Sequence, residues 1–338
     1  MRKRDDKKFD LVYILFYGKI TKISNLDKPN MTNKDLLSIY DLSNKEIRDL
    51  LKKAFELKSK KKYLDIFKGK TLGIMLEKPS TRTMVSFAVA MVQLGGTPIF
   101  LTAEKMQRSR GESIYDTSKV LSKYLNGLMI RAFKHTDVLE FAKHCSIPII
   151  NGLTDYEHPC QILADIMTIM ELLKSKTIEA LKKVKIVYIG DSNNVENSLI
   201  AISAILGLDL TVISPTEYQV KNEILKQALQ YAHKTGAEIK VTSDVDVAKN
   251  ADVIYTDVWT SMGFETEKAK RKKIFTPYQV NSNLLKKASP KCIILHCLPA
   301  LREEEITTDI MEKHENSIFT QAENRLYAQK AVLLHFIK

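Results

Sequence analysis

Short apolar runs alternate with longer amphipathic stretches along most of the chain. Residues 71–76 (Thr-Leu-Gly-Ile-Met-Leu) are apolar enough for a buried strand, and Lys78-Pro79 breaks the run. The next stretch, 84–94, places Val85, Val89 and Val92 near one helical face, with Phe87 and Met91 widening the stripe. Upstream, residues 36–57 carry helix signals: Ser43 as N-cap, Glu46 three residues later, and a Leu50/Leu51/Ala54 stripe. Downstream come strands at 98–101, 128–132 and 147–150, separated by helices at 112–125 and 138–144. A long helix over 161–176 leads into a second alternating half. Its strands are expected at 184–189, 210–213, 239–241, 253–256 and 293–295, with helical stretches at 201–206 and 220–235, and an amphipathic helix closes the chain at 324–336. Strand and helix alternating at short spacing predict an α/β protein: two doubly wound parallel-sheet domains joined by interdomain helices. The boundaries read as an N-terminal arm (1–35), a first domain (36–170) completed by the C-terminal helix (324–338), and a second domain (171–323).

Composition narrows this without redirecting it. With 338 residues, 44% of them hydrophobic, the chain suits two domains better than one. The net charge of +12 is spread over scattered lysines such as Lys60 to Lys62 and Lys268 to Lys273. No aromatic-interleaved basic patch accompanies it, so a nucleic-acid partner is not expected. Four cysteines (Cys145, Cys160, Cys292, Cys297) show no C-x-x-C pairing and read as free thiols in a reducing cytoplasm. No window reaches the ~18–20 apolar residues of a membrane span. The basic N-terminus followed by residues 9–17 superficially resembles a signal peptide, but Asp10 interrupts the apolar part and no small-residue cleavage site follows. A cytoplasmic location is expected.

Open α/β sheets hold ligands beyond the carboxyl ends of their strands, and the polar clusters fall there. Ser80-Thr81-Arg82-Thr83 lies between the first strand and the following helix. Three hydroxyls, a five-donor guanidinium and a helix N-terminus describe a pocket for a phosphate or similar dianion. The plainer reading is an N-cap beside a solvated arginine. Arg131 ends the third strand and could reach the same crevice. His158 and Gln161, three residues apart where the long helix begins, can both point into it.

Ser80 to Thr83 followed by His-Pro-x-Gln at His158 to Gln161 resembles the carbamoyl-phosphate site of transcarbamylases. The second half resembles the ornithine branch of the aspartate/ornithine carbamoyltransferase family. The matching motifs are Gly190-Asp191-Ser192-Asn193-Asn194, Asp257-Val258-Trp259-Thr260-Ser261-Met262-Gly263 and His296-Cys297-Leu298-Pro299. The resemblance runs from about residue 36 to the C-terminus. It implies that Ser80, Thr81, Arg82, Thr83, Arg131, His158, Gln161 and the late Arg325 hold carbamoyl phosphate. Asn194, Asp257, Ser261 and Met262 would bind ornithine, and Cys297 and Leu298 would line the reaction centre. Gln107 matches a position that family members lend to the neighbouring subunit, which implies a homotrimer with shared active sites and leaves room for assembly of trimers. The family commonly reads Ser-Thr-Arg-Thr-Arg, and Met84 here replaces the second arginine.

The implied reaction moves the carbamoyl group of carbamoyl phosphate to the side-chain amine of L-ornithine, giving citrulline and phosphate. It can serve arginine biosynthesis, or run in reverse as in the arginine deiminase pathway. An amine with a pKa near ~10.4 must lose a proton to attack, and either Asp257 or Cys297 could take it. His158, Arg131 and Thr83 can donate to the developing oxyanion. No His/Cys/Glu cluster has metal-ligand spacing, so no metal or cofactor is expected. A Cys297–His296 nucleophile pair is rejected because adjacent strand residues face opposite ways. The alternatives are a transcarbamylase acting on putrescine or lysine, and a dinucleotide-dependent oxidoreductase, which the absent G-x-G-x-x-G disfavours. A basic regulatory protein without turnover is the non-enzyme rival.

Overall fold

The structure is a computed structural model that describes residues 35–60, 64–102, 106–260 and 265–338. Nearly all of the N-terminal arm, and Ser261, Met262 and Gly263, lie outside the described residues. The first half runs α1 (Asn44–Lys60), β1 (Thr71–Leu76), α2 (Thr81–Gln93), β2 (Thr97–Thr102), α3 (Ile114–Tyr124), β3 (Gly127–Arg131), α4 (His135–His144), β4 (Ile149–Leu153) and α5 (Pro159–Leu172). The second runs β5 (Ile186–Ile189), α6 (Asn194–Leu206), β6 (Leu210–Ile213), α7 (Asn222–Thr235), β7 (Ile239–Thr242), β8 (Val253–Thr256), α8 (Lys268–Phe275), α9 (Ser282–Leu285), β9 (Ile293–His296), α10 (Thr308–Lys313) and α11 (Glu315–Phe336).

The strands form two all-parallel sheets, ordered β2-β1-β3-β4 and β7-β6-β5-β8-β9. In each sheet the chain leaves one central strand toward one edge and returns on its other side. The strand order therefore reverses between β1 and β3 and again between β5 and β8, and α/β sheets place ligands at such reversals. Ser80 to Thr83 follow β1 and Arg131 ends β3; Asn193 and Asn194 follow β5 and Asp257 follows β8. The pairing of β3 with β4 shifts register at Ile130/Arg131, and a bulge of this kind re-aims the side chain beside it.

Local chemistry accounts for the helix starts. Ser43 and Glu46 form reciprocal capping contacts before α1: Glu46 Oε2 accepts from the Ser43 N–H, and Ser43 Oγ accepts from the Glu46 N–H. Ser80 caps α2, and Asn193 caps α6 by accepting from the N–H groups of Val195 and Glu196.

Two expectations need correction. The buried face of α2 is Thr83, Phe87, Ala90 and Met91, whereas Val85 and Val92 are 47% and 51% exposed. Both faces of this helix carry apolar residues, so periodicity alone selected the outer one. The last helix begins at Glu315 rather than near 324, and most of its length is buried against α1, α2 and α5, so it is a core helix and not an amphipathic surface one.

Glu157, fully buried ahead of α5, gathers donors from three places: Ser38 Oγ at 2.5 Å, the Ile39 N–H at 2.9 Å and Ser198 Oγ at 3.4 Å. Those hydrogen bonds favour the carboxylate, but burial outweighs them and lifts its pKa to about 7. A folded pKa above the unfolded ~4.3 means the native state holds a proton that the unfolded chain releases. This stabilising contribution is full below pH ~4.3 and disappears as pH rises to about 7. The melting temperature is expected to fall between pH 5 and 7.5, with a shallower slope in Glu157→Gln; identical slopes in scanning calorimetry would reject the assignment.

Candidate active site

At the first reversal, Ser80 Oγ accepts from the Thr83 N–H at 3.3 Å, which turns the first residues of α2 toward the crevice. Thr83 is fully buried, and its Oγ1 accepts from Arg131 Nη1 at 3.3 Å and Arg325 Nη2 at 3.0 Å. A strand-end arginine and an arginine from α11 thus meet on one hydroxyl. The Nε of each is buried without a hydrogen-bond partner among the described residues. Half-buried Arg82 adds a third positive charge near both. Burial first, then Arg325 and Arg82, push the pKa of Arg131 down to about 10. Three cations converging in a low-dielectric crevice make a strained receptor whose complement is a compact polyanion. A cavity of about 350 Å³ opens beside them between α2 and α11, lined in part by Thr81, Arg82, Glu323 and Arg325; its size suits a small ligand.

His158 precedes Pro159 at the start of α5, and its N–H donates to Ser198 Oγ at 2.8 Å. The imidazole is buried and its Nδ1 has no partner among the described residues. Burial, followed by Arg325, Arg131 and Arg82, holds its pKa well below the ordinary histidine value, so the ring is neutral at physiological pH. Gln161 Nε2 donates to Asp165 Oδ1 at 2.8 Å, leaving a buried Oε1 without a partner among the described residues.

At the second reversal, Asp257 Oδ1 accepts from the Val258 N–H at 2.9 Å and from Cys297 Sγ at 3.0 Å, and its Oδ2 accepts from Asn193 Nδ2 at 2.8 Å. Burial and the adjacent Asp257 push the Cys297 thiol well above its usual pKa, so it is a protonated donor rather than a thiolate. Asn194 Nδ2 donates to the Thr154 carbonyl, tying the start of α6 to the loop after β4. Leu298 has φ +58°, and its N–H donates to His296 Nδ1 at 2.9 Å. That bond makes Nε2 the protonated nitrogen, which meets Glu305 Oε1 at 3.0 Å.

His296 and Cys297 are closer than a strand alternation allows: a ligating atom of each and one of Asp257 all lie within 4.8 Å of one another. The strand ends at His296 and the chain turns there, which overrides the alternation. The grouping, drawn from two strands, escapes any search for spacing along the chain. Both imidazole nitrogens are already engaged and Sγ donates to Asp257, so no Cys–His nucleophile pair forms.

The two halves of the chain that carry these clusters each match a known domain. Residues 34–171 match the carbamoyl-P binding domain, and residues 182–336 the Asp/Orn binding domain, of aspartate/ornithine carbamoyltransferase. The chain belongs to the aspartate/ornithine carbamoyltransferase family. It is 49% identical over 317 residues to an ornithine carbamoyltransferase of Bacillus cereus, covering 94% of this chain and 98% of that one. To that of Bacillus subtilis it is 50% identical over 305 residues, covering 90% and 94%. Among solved structures, the ornithine carbamoyltransferase of Pyrococcus furiosus superposes with a TM-score of 0.84 at 45% identity, covering 91% of this chain and 98% of that one. The anabolic enzyme of Campylobacter jejuni gives 0.85 at 38%, covering 90% and 98%.

Within this carbamoyltransferase framework the structure gathers Ser80, Thr83, Arg131 and Arg325 at one half-site, and Asp257 and Cys297 at the other. Gln107 does not join them: it is exposed at the start of a 3-10 turn after β2. The next residue, Arg108, anchors that turn through Glu77 (2.6 Å) and Asp137 (3.5 Å). Met84 is half-buried against the core. Sequence reasoning missed Asn193, whose cap role was legible but whose bond to Asp257 was not, and Arg271. Arg271 Nη1 donates to Asp191 Oδ2 at 2.7 Å and to the Trp259 carbonyl at 3.0 Å, pinning the residues that follow β8. It also missed Asp165, a buried carboxyl on α5 that accepts from Gln161, Gln321 and Tyr255.

Proposed function

We propose that this protein transfers the carbamoyl group of carbamoyl phosphate to the side-chain amine of L-ornithine, and that its two half-sites divide the work. The observation that carries the reading is the meeting of Arg131 and Arg325 on Thr83 Oγ1, beside the capped N-terminus of α2. Ser80, Thr81, Arg82 and Thr83, with Arg131 and Arg325, hold the phosphate. His158, neutral, donates to the carbonyl oxygen, and Gln161 accepts from the carbamoyl NH₂ group. Asn194, Asp257, Ser261 and Met262 hold ornithine, while Cys297 and Leu298 line the space between the substrates. The carboxylate of Asp257 is the better proton acceptor, because Cys297 already carries a proton and donates it to Asp257. As the C–N bond forms, negative charge on the carbonyl oxygen meets His158, Arg131 and Thr83; each such donor is worth ~10²–10³ in rate. Phosphate then leaves against Arg82 and the helix N-terminus.

The homotrimer belongs to the same proposal. Val85 and Val92 on α2 and Ile99 and Phe100 on the edge strand β2 are all more than 40% exposed, apolar surface of the kind that contact with another subunit would cover. Gln107, exposed nearby in sequence, would complete a neighbour's site. A cytoplasmic location and a place in arginine metabolism accompany the reaction; no described helix is long and apolar enough to cross a membrane. The test is citrulline formation from carbamoyl phosphate and ornithine, run beside putrescine, lysine and aspartate. Ornithine is expected to be preferred by at least about 100-fold in kcat/KM; equal or better turnover of another amine would replace the substrate assignment.

A further inference from the structure

We infer that Asp165 is a positioning residue that fixes which end of the Gln161 amide faces the cleft, and so sets the preference for a carbamoyl over an acyl donor. The inference rests on the carbamoyl-transfer reading and deepens it. Asp165 lies one helical turn after Gln161 on α5 and is fully buried. Its Oδ1 accepts from Gln161 Nε2 at 2.8 Å and Gln321 Nε2 at 2.7 Å, and its Oδ2 accepts from the Tyr255 hydroxyl at 2.8 Å. The orientation of the Gln321 amide is fixed independently. Its Oε1 accepts from the His296 N–H at 2.9 Å, and a backbone N–H can only donate.

An ionised carboxylate can only accept, so three donors must face it and Gln161 has no choice but to present its NH₂ group. The amide oxygen is then left as a buried acceptor with no partner among the described residues. A carbamoyl group brings N–H donors to that oxygen. An acetyl group has nearly the same shape and brings a methyl, which leaves the buried acceptor unsatisfied. The surroundings keep Asp165 ionised above pH 7. Burial raises its pKa only to about 6, because Gln161, Gln321 and Tyr255 donate to it and Arg325 stands near. Tyr255 itself stays protonated, since burial and Asp165 push its pKa well up. Asp165 and Gln161 lie on α5, Gln321 on α11, Tyr255 on β8 and His296 on β9, so one carboxylate ties the donor-reading amide to both strands leading into Asp257 and Cys297.

The test compares the KM of carbamoyl phosphate with the competitive Ki of acetyl phosphate and of inorganic phosphate at pH 8. In Asp165→Leu no acceptor remains, the Gln161 amide is free to turn, and the ratio of acetyl-phosphate Ki to carbamoyl-phosphate KM is expected to fall about 10- to 100-fold. The Ki of inorganic phosphate, which reads only the arginine cluster, should stay within about threefold. In a Gln161→Ala background, adding Asp165→Leu should change the ratio by less than about twofold, because the residue acts through the amide. An unchanged ratio in Asp165→Leu, or a further fall in the Gln161→Ala background, overturns the inference. Should Asp165→Leu not fold, Asp165→Glu keeps the charge but displaces it, and a ratio lowered at least threefold is expected; no change overturns it equally. Wild-type protein that makes no citrulline, or does not prefer carbamoyl phosphate to acetyl phosphate, rejects the parent reading before any variant is made.

Discussion

Asp257→Asn is expected to lower kcat/KM for ornithine about 30- to 4,000-fold, while carbamoyl-phosphate binding stays within about threefold. Asparagine keeps the size of the side chain but must place an NH₂ group against one of three donors. Those are the Val258 N–H and Cys297 thiol on one side and Asn193 Nδ2 on the other. Asn193 cannot turn its amide to compensate, because its oxygen caps α6 by accepting from Val195 and Glu196. The variant therefore loses the negative charge opposite an ammonium and also mismatches the network around it. Unpairing a buried charge costs ~2–5 kcal/mol, which is up to ~10³-fold and more at 1.4 kcal/mol per decade. Steady-state kinetics with ornithine, beside calorimetric titration with carbamoyl phosphate, separates the two half-sites. Equal loss of both would show that Asp257 supports the whole cleft rather than the amine.

Arg82→Ala is expected to weaken carbamoyl-phosphate binding about 100- to 1,000-fold and yet leave the melting temperature unchanged or raised. Arg82 is half-buried, and its electrostatic effect on Arg131, Arg325 and His158 is repulsive. Removing it relieves the native state of a like charge and removes a donor to the dianion. Wild-type protein should be stabilised by added phosphate through mass action, and the variant should lose most of that gain. Thermal denaturation with and without phosphate measures both halves of the claim. A lower melting temperature without phosphate would mean that Arg82 is structural instead. A stability–activity exchange of this kind is expected where like charges are gathered for a ligand that neutralises them.

How far the chain discloses itself differs between levels. The strands at 210–213 and 253–256 coincide with their apolar runs because parallel strands covered on both faces need continuous hydrophobicity. Helix α2 was visible as a helix, but its inner face was not, since valines line its outer side as well. Helix α11 was foreshortened for a different reason. Its first turns carry Ser317 and Gln321, which are buried yet polar, and hydropathy has no means of pairing them with distant partners. Those partners exist: Ser317 Oγ donates to the Ile294 carbonyl at 2.7 Å, and Gln321 Nε2 donates to Asp165 Oδ1 at 2.7 Å. The same division holds at the candidate site. Motifs that are compact in sequence, Ser80 to Thr83 and His158 to Gln161, announced themselves through local spacing. The bonds of Thr83 to Arg325 and of Asp165 to Tyr255 and Gln321 join residues far apart along the chain, and no local pattern encodes them.

The placement of Arg325 has a consequence for damaged copies. The helix that delivers it also seals the interior of the molecule, with Tyr327, Ala328, Ala331, Val332, Leu333 and Phe336 all in the main core. A chain terminated ahead of α11 would forfeit the guanidinium and the packing together. Such a product would be met by proteases as an open chain. It would not persist as a folded but inert protein.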